Sequence, residues 1–218
     1  MIKAVIFDMD GLMFDTEKLW EETFAVIGNK LGYNLTKEFH QKTIGTNYEY
    51  IKTLFKRTYG EDFPFEHFYK EARKYMDGII KTKGLKIKKG LLELIDYLRQ
   101  NNYLIAIASS SKRDRIKWYL ETANIDKTIF RTITSGEDIK NSKPAPDIYL
   151  KTCKKLNIKP AQAIVLEDSN NGIKAAKNAG CISVNIPDLD IIKEENKKMY
   201  DYKLESLLDV IELLEKRW

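Results

Sequence analysis

Histidine is the scarcest chemistry-bearing residue in this 218-residue chain: only His40 and His67 are present. Both fall in a lysine-rich stretch, without a cysteine or base partner beside them, and both are expected at the surface. Serine or cysteine triad catalysis is thereby left without its base. Cysteine is as rare. Cys153 and Cys181 are far apart and lack metal-ligand spacing, and Cys181, in the apolar run Gly180-Cys181-Ile182-Ser183-Val184, is expected to be a buried thiol packed as a small hydrophobe. Long apolar runs are missing too: none approaches the roughly 20 residues needed to span a bilayer. Residues 1–7 are too brief for the apolar region of a secretory signal, and no small-residue cleavage site follows them. A cytoplasmic location, with no membrane partner, is therefore expected.

Charge is abundant and nearly balanced, with a net +5. The densest basic run, Lys81-Thr82-Lys83-Gly84-Leu85-Lys86-Ile87-Lys88-Lys89, has no recognition motif with it. It reads as a solvated face, and nucleic acid is not expected as a partner. A mild positive bias suits an anionic small substrate. At 43% hydrophobic residues the chain has enough apolar material for one full core with a small inserted domain.

The first element reads as a strand buried on both faces, Lys3-Ala4-Val5-Ile6-Phe7, ending abruptly in Asp8-Met9-Asp10-Gly11. Helical spacing then takes over. Leu19, Phe24, Ile27 and Leu31 recur at that spacing from Glu17, with Gly32 as the stop. Thr36 starts a second helix, Asn47 a third, and a fourth spans Phe65 to Ile80. After Gly84 helices alternate with strands: helix 90–100, strand 103–108, helix 112–124, strand 132–134, helix 147–156, strand 163–166, helix 171–179, strand 182–186 and helix 204–216. That alternation predicts an α/β fold with a parallel sheet and right-handed crossovers. The all-helical stretch interrupts it, so residues 1–14 and 84–218 are expected to form the core and 15–83 an inserted helical cap, hinged near Phe14 and Gly84.

In open parallel sheets ligands bind beyond the carboxyl ends of the strands. Here those ends carry Asp8 and Asp10, Ser109, and Glu167 with Asp168, and the loop after the third strand carries Lys143. Clustered carboxylates repel one another unless a cation sits among them, and all-oxygen ligands favour a hard ion such as Mg²⁺. The lysine and the hydroxyl would face anionic substrate oxygens, as phosphoryl transfer requires. Asp147 is expected to cap a helix and Asp15-Thr16 to start one; Ser169 and Asn170 stand beside the acidic pair and could line the site.

These residues resemble four motifs of the haloacid dehalogenase superfamily of phosphotransferases, over essentially the whole chain: Asp8-Met9-Asp10-Gly11-Leu12, Ile107-Ala108-Ser109-Ser110-Ser111, Ser142-Lys143-Pro144-Ala145-Pro146-Asp147, and Leu166-Glu167-Asp168-Ser169-Asn170-Asn171-Gly172-Ile173. The resemblance implies a Rossmann-like core with a small helical cap and a Mg²⁺-dependent phosphatase acting on a small phosphorylated metabolite. It implies Asp8 as the nucleophile that becomes an aspartyl-phosphate and Asp10 as acid and then base. Ser109, Ser110 and Lys143 would bind the phosphoryl group, and Asp8, Asp10 (through its carbonyl), Glu167 (directly or through water) and Asp168 the metal. Asp10 and the Glu167-Asp168 pair argue against the dehalogenating branch. The alternative is a β-phosphoglucomutase-type phosphomutase. Its cap histidine and distal-phosphate arginine fall here on Trp20 and Tyr48, which favours hydrolysis. The segment from Leu12 to Trp20 is similar to phosphatases of 2-deoxyglucose 6-phosphate and related hexose or nucleoside phosphates. Met13, Trp20, Gly45, Thr46, Asn47 and Tyr48 are expected to line the cap side of the site, and a monomer is the expectation for this branch.

Overall fold

The opening strand β1 (Ala4–Phe7) is apolar and buried at every position, as a strand covered on both faces must be. In a computed structural model describing residues 1–46, 48–190, 192 and 196–218, it lies third in a six-stranded sheet. Four helices follow directly: α1 (Thr16–Lys30), α2 (Lys37–Gln41), α3 (Tyr48–Tyr59) and α4 (Phe65–Lys83). The alternating part then supplies α5 (Leu91–Gln100), β2 (Leu104–Ser109), α6 (Arg113–Thr122), β3 (Thr132–Ser135), α7 (Asp147–Leu156), β4 (Ala163–Glu167), α8 (Asn170–Asn178), β5 (Ile182–Asn185), β6 (Tyr202–Lys203) and α9 (Asp209–Arg217). The strand order is β3-β2-β1-β4-β5-β6, and every pairing is parallel. The expected α/β parallel-sheet class is borne out.

Alternation along the central strands sorts the core into two layers. Val5, Phe7, Ile105, Ile107, Ile164 and Leu166 share a cluster that runs on into the aromatic interior of α1–α4. There Phe55 meets Phe24, Phe39, Phe63 and Phe68 with ring centroids 4.6–5.6 Å apart. The other face carries Ala4, Ala106, Ala108 and Ala163, small enough for α7 and α8 to lie close, and Ile148, Tyr149, Ala175 and Ala176 pack there. Cys153 and Cys181 sit in that layer as free buried thiols, their Sγ atoms 3.9 Å apart.

The chain leaves for the four helices at Phe14 and returns at Ile87, and these two residues bridge antiparallel. The Asp15 amide donates to the Lys86 carbonyl and the Lys88 amide to that of Met13, each at 3.0 Å. The basic run is therefore not simply solvated: Lys86 pairs with Asp15 at 2.8 Å and Lys88 with Asp188 at 2.6 Å.

Some elements differ from expectation. β6 was not foreseen, being two residues long and carried by the ladder contact of the Leu204 amide with the Asn185 carbonyl. The last helix begins at Asp209 rather than Leu204, because the Asp209 carboxylate accepts from the Glu205 and Ser206 amides and so holds 204–208 in a turn. Thr36 caps α2 by accepting from the Phe39 amide, as expected. Asn47, the expected start of α3, lies outside the described residues. Among the described residues no helix is long and apolar enough to cross a membrane.

Candidate active site

The register delivers the polar strand ends to one edge. Phe7 stands opposite Ile107 on one side and Leu166 on the other, so the chain emerges at Asp8, Ser109 and Glu167-Asp168 within a residue or two of the same level. Lys143 arrives from the loop between β3 and α7. Asp147 was expected to cap α7, but the residue before that helix is Pro146. The Asp147 carboxylate instead accepts from the Asn141 amide and side chain at 3.2 and 3.0 Å, which fastens the loop that carries Lys143.

Lys143 is buried and ties two strand ends together, donating to Asp8 Oδ1 at 2.5 Å and to Glu167 Oε1. Glu167 is fully engaged. Its Oε1 also accepts from the Tyr149 hydroxyl at 2.7 Å, and its Oε2 accepts from the Asp168 and Ser169 amides and the Ser169 hydroxyl at 3.0–3.1 Å. Gly172 makes room for this carboxylate: a Cβ there would stand 1.8 Å from Glu167 Oε1. Asp168 is the opposite case. Both its oxygens are buried and neither has a hydrogen-bond partner among the described residues. Gly11, at φ +83°, packs against it, since a Cβ there would lie 2.3 Å from Asp168 Oδ2.

Asp8, Glu167 and Asp168 each offer an oxygen within 4.8 Å of the others, all three buried. The electrostatics follow. Burial, aided by Glu167 and opposed by Lys143, pushes the Asp8 carboxyl up to about 8. Burial and then Glu167 and Asp8 raise Asp168 well above the usual carboxylate range. Burial weighs against the Lys143 charge, yet Asp8 and Glu167 together hold its ammonium well above an ordinary lysine. Such an acidic cluster is short of positive charge.

Asp10 is held separately. The Thr16 hydroxyl donates to its Oδ1 at 3.0 Å and the Ser111 hydroxyl to its Oδ2 at 2.8 Å. Thr16 thus orients Asp10 besides opening α1, while Asp15 pairs with Lys86 and makes no side-chain cap. The Ser109 hydroxyl accepts from the Ser111 amide at 3.1 Å, which leaves its own proton to donate outward.

These groups open into a cleft of about 860 Å³ between the sheet edge and the four helices. Asp8, Asp10, Ser109, Ser110, Lys143, Asp168 and Ser169 line it from below, and Trp20, Gly45, Thr46 and Tyr48 from above. Glu167 lies beneath this floor. Asn170 does not line the cleft; its amide donates to Asp190 and its side-chain oxygen accepts from Asn196. Met13, expected at the lining, is wholly buried in the main core. Gly45 approaches closely, at φ +66°, where a Cβ would stand 2.7 Å from Ser169 Oγ. His67 is exposed as expected, but His40 is not: it is 2% exposed, edge-on to Phe24 at 5.1 Å and 3.6 Å from Glu17, because Phe39 and His40 share the inward face of the short α2. Sequence reading also passed over Tyr149, Ser111 and Arg73. Tyr149 was marked by its place in the inward stripe Ile148, Tyr149, Thr152, Cys153, Leu156.

The fold and this carboxylate-lysine-serine edge define an α/β enzyme that handles an anionic group beyond the sheet. The chain belongs to the haloacid dehalogenase-like hydrolases, whose family model matches residues 5–186. A phosphorylated carbohydrates phosphatase of Thermotoga maritima is 31% identical over 180 residues, covering 82% of each chain. Hexitol phosphatase B of Escherichia coli is 26% identical over 212 residues, covering 96% of this chain and 94% of its own. Among solved structures, a β-phosphoglucomutase from Clostridium difficile superposes with a TM-score of 0.82 at 25% identity, covering 99% of this chain and 96% of that one. The expected reaction class, phosphoric monoester hydrolysis, agrees with the phosphatases among these relatives.

Proposed function

We propose that this chain hydrolyses a small phosphomonoester, a sugar or nucleoside phosphate, in two displacements through an aspartyl-phosphate on Asp8. The observation that carries the reading is the asymmetric hold on Asp8. Lys143 takes Oδ1, and no donor reaches Oδ2 among the described residues, so one oxygen is left to attack phosphorus. Asp10, oriented by Thr16 and Ser111, gives a proton to the leaving oxygen in the first step and takes one from water in the second. Ser109 and Ser110 donate to the phosphoryl oxygens from the end of β2, with Lys143 neutralising charge beneath them.

The donor set suits Mg²⁺: three buried carboxylates at one point, two of whose oxygens, on Asp168, have no proton donor among the described residues. Asp8 and Asp168, with the Asp10 carbonyl, would hold it. Glu167, whose two oxygens already accept five hydrogen bonds, would contribute through its neighbours or a water rather than directly. When bound, the ion neutralises the carboxylates and draws charge from the phosphoryl oxygens. We assign residues 15–83 as a cap closing over a core of 1–14 and 84–218, with Trp20, Gly45 and Thr46 facing the leaving group. We assign the protein to the cytoplasm as a monomer.

The test is phosphate release from a panel of sugar and nucleoside phosphates with Mg²⁺. Turnover should vanish in Asp8→Asn, and undiminished activity in that variant would sink the reading. Conversion of β-glucose 1-phosphate to glucose 6-phosphate faster than phosphate release would replace hydrolysis by mutase chemistry.

A further inference from the structure

The cleft contains a cation for which the described residues supply no counter-ion. Three cationic side chains line it without being fully exposed: Lys143, which is buried, and Arg115 and Arg73, which are half-buried. Lys143 is matched by Asp8 and Glu167, and Arg115 by a two-pronged pair with Asp77. Arg73 has no ion pair among the described residues. Its Nε and Nη2 both donate to one oxygen, the Tyr69 hydroxyl, at 3.2 and 2.8 Å, which leaves Nη1 uncommitted.

Aromatic rings fix where it points. The guanidinium lies over the Trp20 ring at 4.5 Å and over Tyr69 at 5.2 Å, and those two rings stack at 5.8 Å. Such a shelf holds a planar fork rigid, so little freedom is lost when an anion binds. Asp10, the proposed acid for the leaving oxygen, lines the same cleft as Arg73. It is already satisfied by Thr16 and Ser111. Because it lies over Trp20, one of the residues assigned to face the leaving group, the fork stands on that side of the cleft. A half-buried guanidinium held in one orientation and without an ion pair is a ready partner for a carboxylate or phosphate, which it binds through charge-assisted N–H donors.

We propose that Arg73, presented on the Trp20–Tyr69 shelf, is the specificity residue of the cleft and receives a second anionic group on the leaving group. The preferred substrates are then phosphomonoesters with an acidic tail, a carboxylate or a second phosphate, rather than neutral polyol or sugar phosphates. This rests on the phosphatase reading and narrows it.

The experiment compares kcat/KM for three substrates of similar length: a hexitol 6-phosphate, 6-phosphogluconate and a hexose 1,6-bisphosphate. The wild-type chain should favour one or both acidic substrates by about 10- to 100-fold, chiefly in KM, the range of a charge-assisted pair. Arg73→Met should bring the ratio close to one, and Arg73→Lys should recover part of it. Preference for the bisphosphate alone identifies the tail as phosphate, and preference for the gluconate alone as carboxylate. A wild-type ratio near one overturns the assignment. So does an Arg73→Met variant that lowers kcat on all three substrates alike, which would make Arg73 a packing residue. Phosphate release from none of them by the wild-type chain would overturn the phosphatase reading together with it.

Discussion

Gly172→Ala sets two physical effects against each other, and the structure decides between them. Residue 172 lies inside α8, where helix propensity alone favours alanine over glycine by about 1 kcal/mol. The added Cβ, however, would stand 1.8 Å from Glu167 Oε1, 1.9 Å from its Cδ and 2.2 Å from Oε2. No rotamer of a flexible chain end can absorb this, because both oxygens are anchored by Lys143, Tyr149, Ser169 and the Asp168 amide. The carboxylate must leave its cradle, and Lys143 loses one of its two buried counter-ions. Breaking a buried ion pair on one side costs about 3–5 kcal/mol, so the net loss is about 2–4 kcal/mol. For a chain of this size that is a fall in Tm of roughly 5–15 °C. Thermal and urea unfolding measure the stability, and phosphate release with Mg²⁺ measures whether Lys143 still holds Asp8. A variant as stable as the parent, or more so, with full turnover would refute the reasoning: Glu167 would then not occupy the cradle.

His40→Gln tests the buried histidine. Burial holds His40 down at about 4 against an ordinary 6.5, so between those values the unfolded chain binds a proton that the folded one refuses. Stability should fall as pH drops from 6.5 towards 4, by about 3 kcal/mol in all, and the variant should lose that slope in unfolding curves taken across the range. Asp138 works in the other direction. Burial opposes its charge, but the Ser135 amide with Lys155 and Arg113 holds the carboxyl at about 2 from an ordinary 3.8. That stabilisation is present above pH 4 and disappears as pH falls to 2. With solvent screening it amounts to about 1 kcal/mol, so Asp138→Asn should be weaker at pH 7 and indistinguishable from the parent at pH 2. Asp168→Asn should raise the Tm of metal-free protein, by removing a buried carboxyl that has no hydrogen-bond partner among the described residues and costs about 1 kcal/mol or more, and should abolish any further rise on adding Mg²⁺. Chelation of divalent ions should stop phosphate release, with recovery on Mg²⁺ addition.

What could be read in advance was whatever depends on short-range pattern. The strand ends bearing Asp8, Ser109 and Glu167 were visible because an apolar run that stops at a polar residue marks both a strand and its exit. The parallel-sheet rule then places all the exits on one edge. Partners set by three-dimensional closure were not visible. Thr16 and Ser111 stand 95 residues apart in number yet hold the two oxygens of one carboxylate. His40 read as a surface residue because its neighbours are lysines, whereas α2 is too short for its periodicity to show that Phe39 and His40 face inward. Arg73 follows Ala72 in a helix whose inward residues are Phe65, Phe68, Ala72 and Met76. Nothing local distinguishes an arginine at the rim of that stripe from one in solvent; the discriminating fact is the Trp20 ring, 53 residues earlier.

The charge at the edge of the sheet explains why the proposed cation, nucleophile and clamp belong together. Asp8, Glu167 and Asp168 bring three carboxylates to one buried point, and Lys143 returns a single positive charge. With all four ionised, two negative charges are uncompensated, which is the charge of one divalent ion. The protein distributes its donors unevenly: among the described residues Glu167 receives five, Asp8 one and Asp168 none. A set built only for stability would spread them, since an unsatisfied buried carboxylate costs more than a second hydrogen bond to a satisfied one returns. Concentrating them on Glu167 makes that residue and Lys143 a fixed base. Asp168 and the free oxygen of Asp8 are then the positions where a hard cation and a phosphorus atom meet the protein. The same imbalance predicts that swapping the pair, Lys143→Glu with Glu167→Lys, preserves the local charge but not activity, because the ammonium would move from beneath Asp8 to beneath α8.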